Sequence, residues 1–296
     1  MHEEKLITKD CNELEITIKN FLGNRKTPDA VCLGVAGPVT NNKVNITNIP
    51  LSLDSKQLSA ALNNTPVHFI NDLEATAYGI SELKPEDFTT IFEGEQNAAG
   101  NIAVVAPGTG LGEAAAFWDG VKHHPFSTEG GHCDFAARTQ TDFELLNYLS
   151  QKYGHVSWER LISGQGIVNI FEFLQANKEI EIPNWLQEQL LHGDAAKVIS
   201  TNAQQIDTCK ETMQLFFRYL ATEAAHLALK TKATGGLFIG GGIIPQVLSL
   251  LDKNLFVQQF ADFGRMKYLL EAVPIRVILN NRTALLGAAV FGLNAV

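Results

Sequence analysis

Apolar residues follow two different spacings along this chain, and the two spacings separate short strands from helices. The apolar run Ala30–Ala36 predicts a buried strand and the shorter segment Val67–Ile70 a second strand. Ser55–Asn64, which lies between them, has the spacing of a helix. Helical spacing resumes directly after Asn71-Asp72. This β-α-β-α order predicts a largely parallel sheet in the first part of the chain.

A second set of elements begins after Lys84-Pro85. Its strands are predicted at Asn101–Ala106, Gly236–Ile239 and Pro274–Leu279, and a closing helix at Ala284–Leu293. The longest helix is predicted at Thr208–Lys230, because its apolar residues repeat at helical spacing. We interpret that stripe as core packing and assign it no function.

Two shorter signals concern turns and helix ends. Asp119-Gly120 separates two strand-like runs and fits the two-residue type I′ turn of a β-hairpin. Thr141 is a suitable N-cap for the helix that follows, and Gly154 a suitable end for it. A hairpin and a helix are therefore expected between the two main blocks of strands.

Composition narrows the class of protein. A chain of 296 residues suits two lobes of an α/β protein. The formal net charge of -9, without a cluster of Lys and Arg, argues against nucleic-acid binding. No apolar run reaches the roughly 18–20 residues that span a bilayer. A cytoplasmic protein with no membrane partner is expected.

The four cysteines, Cys11, Cys32, Cys133 and Cys209, lie far apart. Because none forms a CxxC pair, a zinc site built on paired cysteines is disfavoured. A disulfide framework is also unexpected in a chain of this size. We predict no bound structural metal and a reducing environment.

Two glycine-rich turns follow predicted strands, at Gly108-Thr109-Gly110 and at Gly240-Gly241-Gly242. Glycines allow backbone N–H groups to approach phosphate oxygens closely, and the Thr109 hydroxyl adds a donor. A purely structural turn is the commoner explanation of either cluster by itself. The chain lacks GxxxxGK[ST], so it is not a P-loop NTPase.

Polar residues suited to a hydroxylated ligand occur in three segments. Asn71-Asp72 follows a strand, where open α/β sheets place ligands; Asp72 is either a general base or a helix cap. Glu129 and His132 flank two glycines, and both side chains can hydrogen-bond hydroxyl groups. Glu159 opens a helix, where an acidic residue also has a purely electrostatic explanation.

Together these segments resemble the bacterial glucokinase family, which has the actin-like (ribonuclease-H-like) ATPase fold. The matching stretches are FINDLEATAYGI (69–80), APGTGLG (106–112), STEGGHCDFAAR (127–138), GHVSWERLISGQGIVNI (154–170), GGLFIGGGIIP (235–245) and ALLGAA (284–289). They occur in the family's order. The cysteine-rich zinc motif of the related repressor/ORF/kinase sugar kinases is not matched, which favours the glucokinase branch.

The resemblance implies a two-lobed α/β kinase that binds glucose and ATP in the cleft between its lobes. It implies residues 1–82 plus 280–296 as the small lobe and 83–279 as the large lobe. ATP and Mg²⁺ are the implied cofactors, glycolysis entry the implied role, and a homodimer the implied assembly. The implied reaction gives ADP and glucose 6-phosphate.

The resemblance also implies roles for individual residues. Asp72 corresponds to the catalytic base. Sugar-binding residues correspond to Asn71, Glu129, His132 and Glu159. The second phosphate loop corresponds to Gly108, Thr109 and Gly110, and the adenosine-side turn to Gly240, Gly241 and Gly242.

One family feature is not matched. The family opens with a β-hairpin that carries an Asp-x-Gly-Gly-Thr phosphate loop. In this sequence, Gly23 is the only glycine before Ala30. Lys5–Thr8 resembles the third strand of the family's first sheet and Asn12–Leu22 its first helix. We expect a small lobe without its first strands.

Three explanations are open: a start codon placed too late, which we favour, a truncated protein, or a partner chain that supplies the strands. Two functional alternatives remain beside glucose phosphorylation: a catalytically weak or inactive sugar-binding or regulatory protein, and a kinase for another hexose or an amino sugar.

Overall fold

The computed structural model describes residues 2–6, 13–45, 52–95 and 99–295. The chain divides into two units, Met1–Leu83 with Arg282–Val296, and Lys84–Asn281. We call them unit 1 and unit 2 and describe each by itself. Among the described residues, no helix combines the length and the apolar character that crossing a bilayer requires.

Unit 1 contains short strands and four helices within its described residues. In chain order they are α1 (Leu14–Leu22), β1 (Val31–Val35), β2 (Val39–Thr40), β3 (Lys43–Asn45), β4 (Ser52–Asp54), α2 (Ser55–Ala61), β5 (Val67–Asn71), α3 (Asp72–Gly79) and α12 (Thr283–Ala295). Strands β1 and β5 pair in parallel, from Val31↔Val67 to Val35↔Asn71. The predicted parallel pairing is confirmed for β1 and β5. The predicted β-α-β-α order is incomplete, because β2, β3 and β4 lie between β1 and α2 and form a separate antiparallel sheet.

Two small apolar clusters hold unit 1 together. One lies under β1, β5 and α2 and includes Val35, Leu58 and Phe69. The other joins Ile70 of β5, Ala75 of α3 and Ala288 of α12. The second cluster fixes the junction between β5 and α3, where Asn71 and Asp72 lie.

Unit 2 is built on a six-stranded mixed sheet in the order β6-β11-β10-β7-β8-β9. Its strands are β6 (Phe88–Phe92), β7 (Ile102–Pro107), β8 (Leu111–Trp118), β9 (His123–Thr128), β10 (Gly236–Ile239) and β11 (Ile275–Ile278). Strand β10 is parallel to β7 and β11, whereas β6, β8 and β9 run antiparallel to their neighbours.

Helices cover this sheet and supply most of the core of unit 2. They are α4 (Gln140–Tyr153), α5 (Gly164–Asn177), α6 (Asn184–His192), α7 (Ala195–Thr201), α8 (Asp207–Thr231), α9 (Ile244–Val247), α10 (Lys253–Ala261) and α11 (Lys267–Leu270). The apolar stripe of α8 is buried as predicted, at Met213, Phe216, Phe217, Leu220, Ala224 and Leu227. Its interpretation as core packing is confirmed.

Two local predictions in unit 2 are wrong. Trp118 pairs with His123, so four residues rather than two connect β8 and β9. Asp119 stabilises this longer turn, because its Oδ1 accepts the backbone N–H groups of Val121 and Lys122. Helix α4 is capped by Thr139 rather than Thr141, in a reciprocal capping box with Asp142.

The N-terminal predictions are only partly described. Helix α1 begins at Leu14, and Asn12, where we expected its start, lies outside the described residues. Of the predicted strand Lys5–Thr8, Lys5 and Leu6 are not in a strand, and residues 7 and 8 lie outside the described residues.

Candidate active site

Asn71 is the residue that caps α3. Its Oδ1 accepts the backbone N–H groups of Leu73 and Glu74, and its Nδ2 donates to the carbonyl of Gly37. An Asn at this position satisfies donors that the first turn of a helix leaves without partners. The capping role that the sequence left open for Asp72 therefore belongs to its neighbour.

Asp72 is the first residue of α3 and is partly buried. Its Oδ1 accepts the backbone N–H of Leu73 at 3.0 Å, and its carbonyl accepts the hydroxyl of Thr76. The carboxylate thus lies at a helix N-terminus, where the backbone dipole stabilises negative charge. The bond from Leu73 thus fixes the orientation of the Asp72 carboxyl group.

The turn Gly108–Gly110 connects β7 and β8 and is the first glycine-rich turn of unit 2. The Gly108 N–H donates to the Gly110 carbonyl at 2.8 Å, which closes the turn. The Gly108 carbonyl accepts the N–H of Gly164 at 2.9 Å, at the start of α5. Thr109, at the tip, is exposed. The turn is therefore anchored at its base, and its tip is exposed.

Glu129 and His132 are held on a single 3₁₀ turn, Gly130–His132, after β9. The His132 N–H donates to the Glu129 carbonyl, and the Cys133 N–H donates to the Gly130 carbonyl. Both functional side chains are exposed. A carboxylate and an imidazole on one rigid turn provide the acceptors and donors that a polyhydroxylated ligand requires.

Glu159 links the first glycine-rich turn, Gly108–Gly110, to the turn that carries Glu129 and His132. We call Gly108–Gly110 the phosphate-type turn. Glu159 Oε2 accepts the backbone N–H of Leu111 at 3.0 Å, directly after the phosphate-type turn. The neighbouring Trp158 donates its backbone N–H to the carbonyl of Cys133. The two segments are also joined by an antiparallel bridge between Asp134 and Ser157. Spacing alone gave no reason to select Glu159, but the structure places it among the other candidates.

The turn Gly240–Gly242 follows β10 and lies beside the first glycine-rich turn. The Gly240 N–H donates to the carbonyl of Val105 at 2.8 Å. Gly241 has φ of +81° and approaches the carbonyl of Pro107 so closely that a Cβ there would overlap it. The two turns therefore belong to one compact group at the same edge of the sheet.

A cavity of about 220 Å³ opens next to both glycine-rich turns. Apolar side chains of Ile167, Ile243 and Val247 line it together with the polar residues Asp194, Lys197, Ser200 and Gln246. Gly108 and Thr109 form another part of its wall. Apolar walls with a few polar groups are typical of small-molecule sites. Our sequence prediction missed Lys197, Ser200 and Gln246, because nothing in their local pattern distinguishes them from ordinary surface residues of a helix.

The candidates thus fall into two groups. Within unit 2 the structure brings together Glu129, His132, Glu159 and the two glycine-rich turns. Asn71 and Asp72 belong to unit 1. Among the described residues, no group of three or more His, Cys, Asp or Glu side chains is arranged to hold a metal ion.

Comparisons with known proteins identify the family of this chain. A family model described as Glucokinase matches residues 1–295. The glucokinase of Trichormus variabilis is 37% identical, with 98% of this chain and 90% of that protein aligned. The crystal structure of a glucokinase from an Antarctic psychrotroph is 32% identical, with a TM-score of 0.86 over 99% of this chain and 89% of that one.

A more distant structure extends the comparison at the level of the fold. It is a ROK family glucokinase from Streptomyces griseus, solved with glucose and AMPPNP, at 20% identity and a TM-score of 0.61 over 97% of this chain and 88% of that one. The fold is that of an actin-like ATPase, as the sequence predicted. Within that class, the chain belongs to the glucokinase family.

Proposed function

We propose that this protein transfers the γ-phosphoryl group of ATP to the 6-hydroxyl of D-glucose. Its family membership supports this reaction. The observation that carries the proposal is the hydrogen bond between Glu159 Oε2 and Leu111 N, at 3.0 Å. That bond joins one carboxylate suited to a sugar, that of Glu159, to the end of the turn suited to a phosphate, and a sugar kinase needs both at one site.

Glucose would be bound by the polar side chains that the sequence singled out. Glu129 and Glu159 would accept hydrogen bonds from sugar hydroxyls, and His132 would donate or accept one. Asn71 would contribute through its amide group, although its Oδ1 already caps α3. Several fixed hydrogen bonds to hydroxyl groups select strongly against sugars that lack one of them.

Asp72 would act as the general base. It would accept the proton of the glucose 6-hydroxyl while that oxygen forms a bond to the γ-phosphorus and the bond to the β-phosphate oxygen of ATP breaks. ADP is the leaving group, and the products are ADP and glucose 6-phosphate. The protein mainly positions the groups and stabilises charge in such a transfer.

ATP would be bound at the two glycine-rich turns and the adjoining cavity. The turn of Gly108, Thr109 and Gly110 would face the phosphates with the N–H groups of Thr109 and Gly110, because the Gly108 N–H closes the turn. Gly240, Gly241 and Gly242 would border the adenosine. The apolar side chains of Ile243 and Val247 suit a purine ring, and Lys197 suits a polar or anionic part of the nucleotide.

Mg²⁺ would enter with the nucleotide. Mg²⁺ in kinase sites is held largely by substrate phosphates, water and one or two carboxylates rather than by a complete protein cage. The described residues include no preassembled cluster of three ligating side chains, which fits an ion carried by ATP. When bound, it would neutralise the charge of the phosphates.

The remaining expectations concern the setting of the reaction. We propose a cytoplasmic enzyme that supplies glucose 6-phosphate to glycolysis and forms a homodimer. Gel filtration with light scattering would measure the mass in solution, and a monomer at assay concentrations would contradict the dimer.

A coupled assay tests the main proposal. The full chain, MgATP and glucose are mixed with glucose-6-phosphate dehydrogenase and NADP⁺, and NADPH formation is followed. We expect glucose-dependent turnover, and a panel of mannose, fructose and N-acetylglucosamine, assayed by ADP release, should be used more slowly. Glucose binding in a calorimeter without turnover would favour the inactive sugar-binding alternative, and preference for another sugar would overturn the substrate assignment.

A further inference from the structure

Two buried carboxyl groups lie behind the turn that carries Glu129 and His132. Glu113 is on β8 and Glu223 is on α8, and their exposed fractions are 2% and 0%. Glu113 Oε2 touches the backbone of Gly130 so closely that a Cβ on this glycine would overlap it. The carboxyl group of Glu113 therefore supports the 3₁₀ turn from inside the protein.

With a neutral His226, the charges around this pair do not balance if both carboxyl groups are ionised. Lys230 Nζ lies 3.7 Å from Glu223 Oε1, and His226 Nδ1 lies 2.8 Å from Glu223 Oε2. One ammonium group can compensate one buried carboxylate, but a second uncompensated charge is costly to bury. The charges therefore favour one proton held between the two carboxyl groups.

The hydrogen-bond partners of the two carboxyl groups also favour one proton held between them. Glu113 Oε1 and Glu223 Oε1 are buried, and neither has a hydrogen-bond partner among the described residues. A proton between the two groups turns one oxygen into a donor and the other into its acceptor. Burial, and next the charge of Glu223, raise the pKa of Glu113 from its ordinary value of 4.5 to about 8.

We propose that Glu113 and Glu223 share one proton, and that this protonated pair positions the Glu129–His132 turn for glucose binding. The inference rests on the proposed function for its consequence in glucose binding. Glu113 is a positioning residue, since it acts through Gly130 and not on the sugar itself. This positioning role gives a reason for a buried carboxyl group on β8, the strand that follows the phosphate-type turn.

The Glu113–Glu223 pair is also connected, through His226, to the segment that carries Glu159. The His226 ring packs on Trp158, with ring centroids 5.4 Å apart, and Trp158 directly precedes Glu159. The charged groups that act on Glu113 are Glu223 and Lys230, with His226 one contact further away. Loss of the proton would set two adjacent negative charges against each other, and Glu113 would be pushed toward Gly130.

A pH series on the full chain tests the inference. The kcat and the KM values for glucose and for ATP are measured between about pH 6.5 and 9.5. Because one pH unit above a pKa leaves about a tenth of the group protonated, we expect the glucose KM to rise about tenfold by about pH 9. The KM for ATP should stay nearly constant, because the pair supports the sugar turn.

Glu113→Gln is the informative variant, because its amide is neutral at every pH and can donate to Glu223 as the shared proton does. We expect a normal glucose KM near neutrality and no alkaline rise. Glu271→Gln is the matched control: it removes an exposed carboxylate that pairs with Lys267, and it should keep the wild-type profile. An alkaline rise that persists in Glu113→Gln would overturn the proposal.

A second variant tests the same inference if Glu113→Gln does not fold. Glu223→Gln removes the repulsion on Glu113 and leaves the positive charge of Lys230 nearby, so the alkaline rise in glucose KM should move to lower pH. If the rise stays at the wild-type pH, Glu223 is not the partner of Glu113 and the inference fails.

Stability against pH separates this inference from the proposed function. Because folding raises the pKa of Glu113, the folded state binds more protons than the unfolded state between pH 4.5 and about 8. This contribution to the free energy of unfolding is fully present below pH 4.5 and is lost as pH rises through about 8. Glu113→Gln should remove it. If wild type phosphorylates no glucose but shows this difference, only the proposed function fails.

Discussion

The two units hold their candidate residues in different ways. In unit 2, backbone hydrogen bonds tie the phosphate-type turn, the Glu129–His132 turn and the Glu159 segment to one another. In unit 1, Asp72 stands at one strand–helix junction, and Asn71 makes the capping bonds. Residues of unit 2 are thus positioned by each other, whereas the capping bonds of α3 come from Asn71 and do not depend on the side chain of Asp72.

The largest expected effect comes from the candidate general base. Asp72→Asn should lower kcat by roughly 10²–10⁴-fold, because a general base contributes about that much and an amide cannot accept the proton. Glucose affinity should change little, since Asn71 still caps α3. The coupled assay gives kcat, and titration calorimetry gives the glucose dissociation constant.

Glu74→Gln is the matched control for this prediction. It makes the same carboxyl-to-amide change in the first turn of the same helix. Its kcat should stay within about twofold of wild type, as expected for a substitution away from the chemistry. A normal kcat in Asp72→Asn, or an equal loss in both variants, would contradict the contrast between catalytic and structural residues in unit 1.

Glu129→Gln should have a smaller effect, confined to the sugar. A hydrogen bond to a charged group contributes about 1.5–3 kcal/mol, so the glucose KM should rise roughly tenfold to a hundredfold. The KM for ATP should stay near normal, because the Glu129 side chain is exposed and its turn is held by backbone bonds. Steady-state kinetics with each substrate varied in turn would measure both. Equal losses for glucose and ATP would mean that Glu129 supports the whole site rather than the sugar.

The smallest effect tests how tightly the turns of unit 2 are packed. Gly241→Ala should lower the free energy of unfolding by about 1–3 kcal/mol, because its Cβ would overlap the Pro107 carbonyl. Gly242→Ala is the control, since nothing lies within 4 Å of a Cβ there. Urea unfolding of the two variants should separate them. Equal stability would show that the two glycine-rich turns are not packed as described.

Local features of the fold could be predicted from the sequence because they depend on neighbouring residues. The buried stripe of α8 follows from helical spacing, and the end of α4 at Gly154 follows from a glycine with φ of 72°. The turn after Trp118 was predicted wrongly. Asp119 satisfies two backbone N–H groups with its side chain, and this stabilises a four-residue connection over the shorter one.

Site residues could be predicted where they lie together in one short segment of sequence. They could not be predicted where distant segments come together only in the folded protein. Glycines after strands, and Glu129 and His132 around two glycines, are visible in a short stretch of sequence. Lys197 and Gln246 are not, because they line the cavity only through the packing of α7 and α9 beside the first glycine-rich turn. The sequence also gave no reason to select Glu113. The alternation of side chains along β8 does not show which residue packs against it.

The sequence by itself determined the main buried strands, the longest helix, the glycine-rich turns and the acidic composition, because side-chain spacing and turn chemistry act between near neighbours. Only the tertiary structure decided that Glu159 bonds to Leu111, 48 positions away, and that Glu113 meets Glu223 in the interior. Such pairs are set by the order of strands in the sheet and by the helices packed on it. Their chemistry depends on burial, which a linear pattern of residues does not contain.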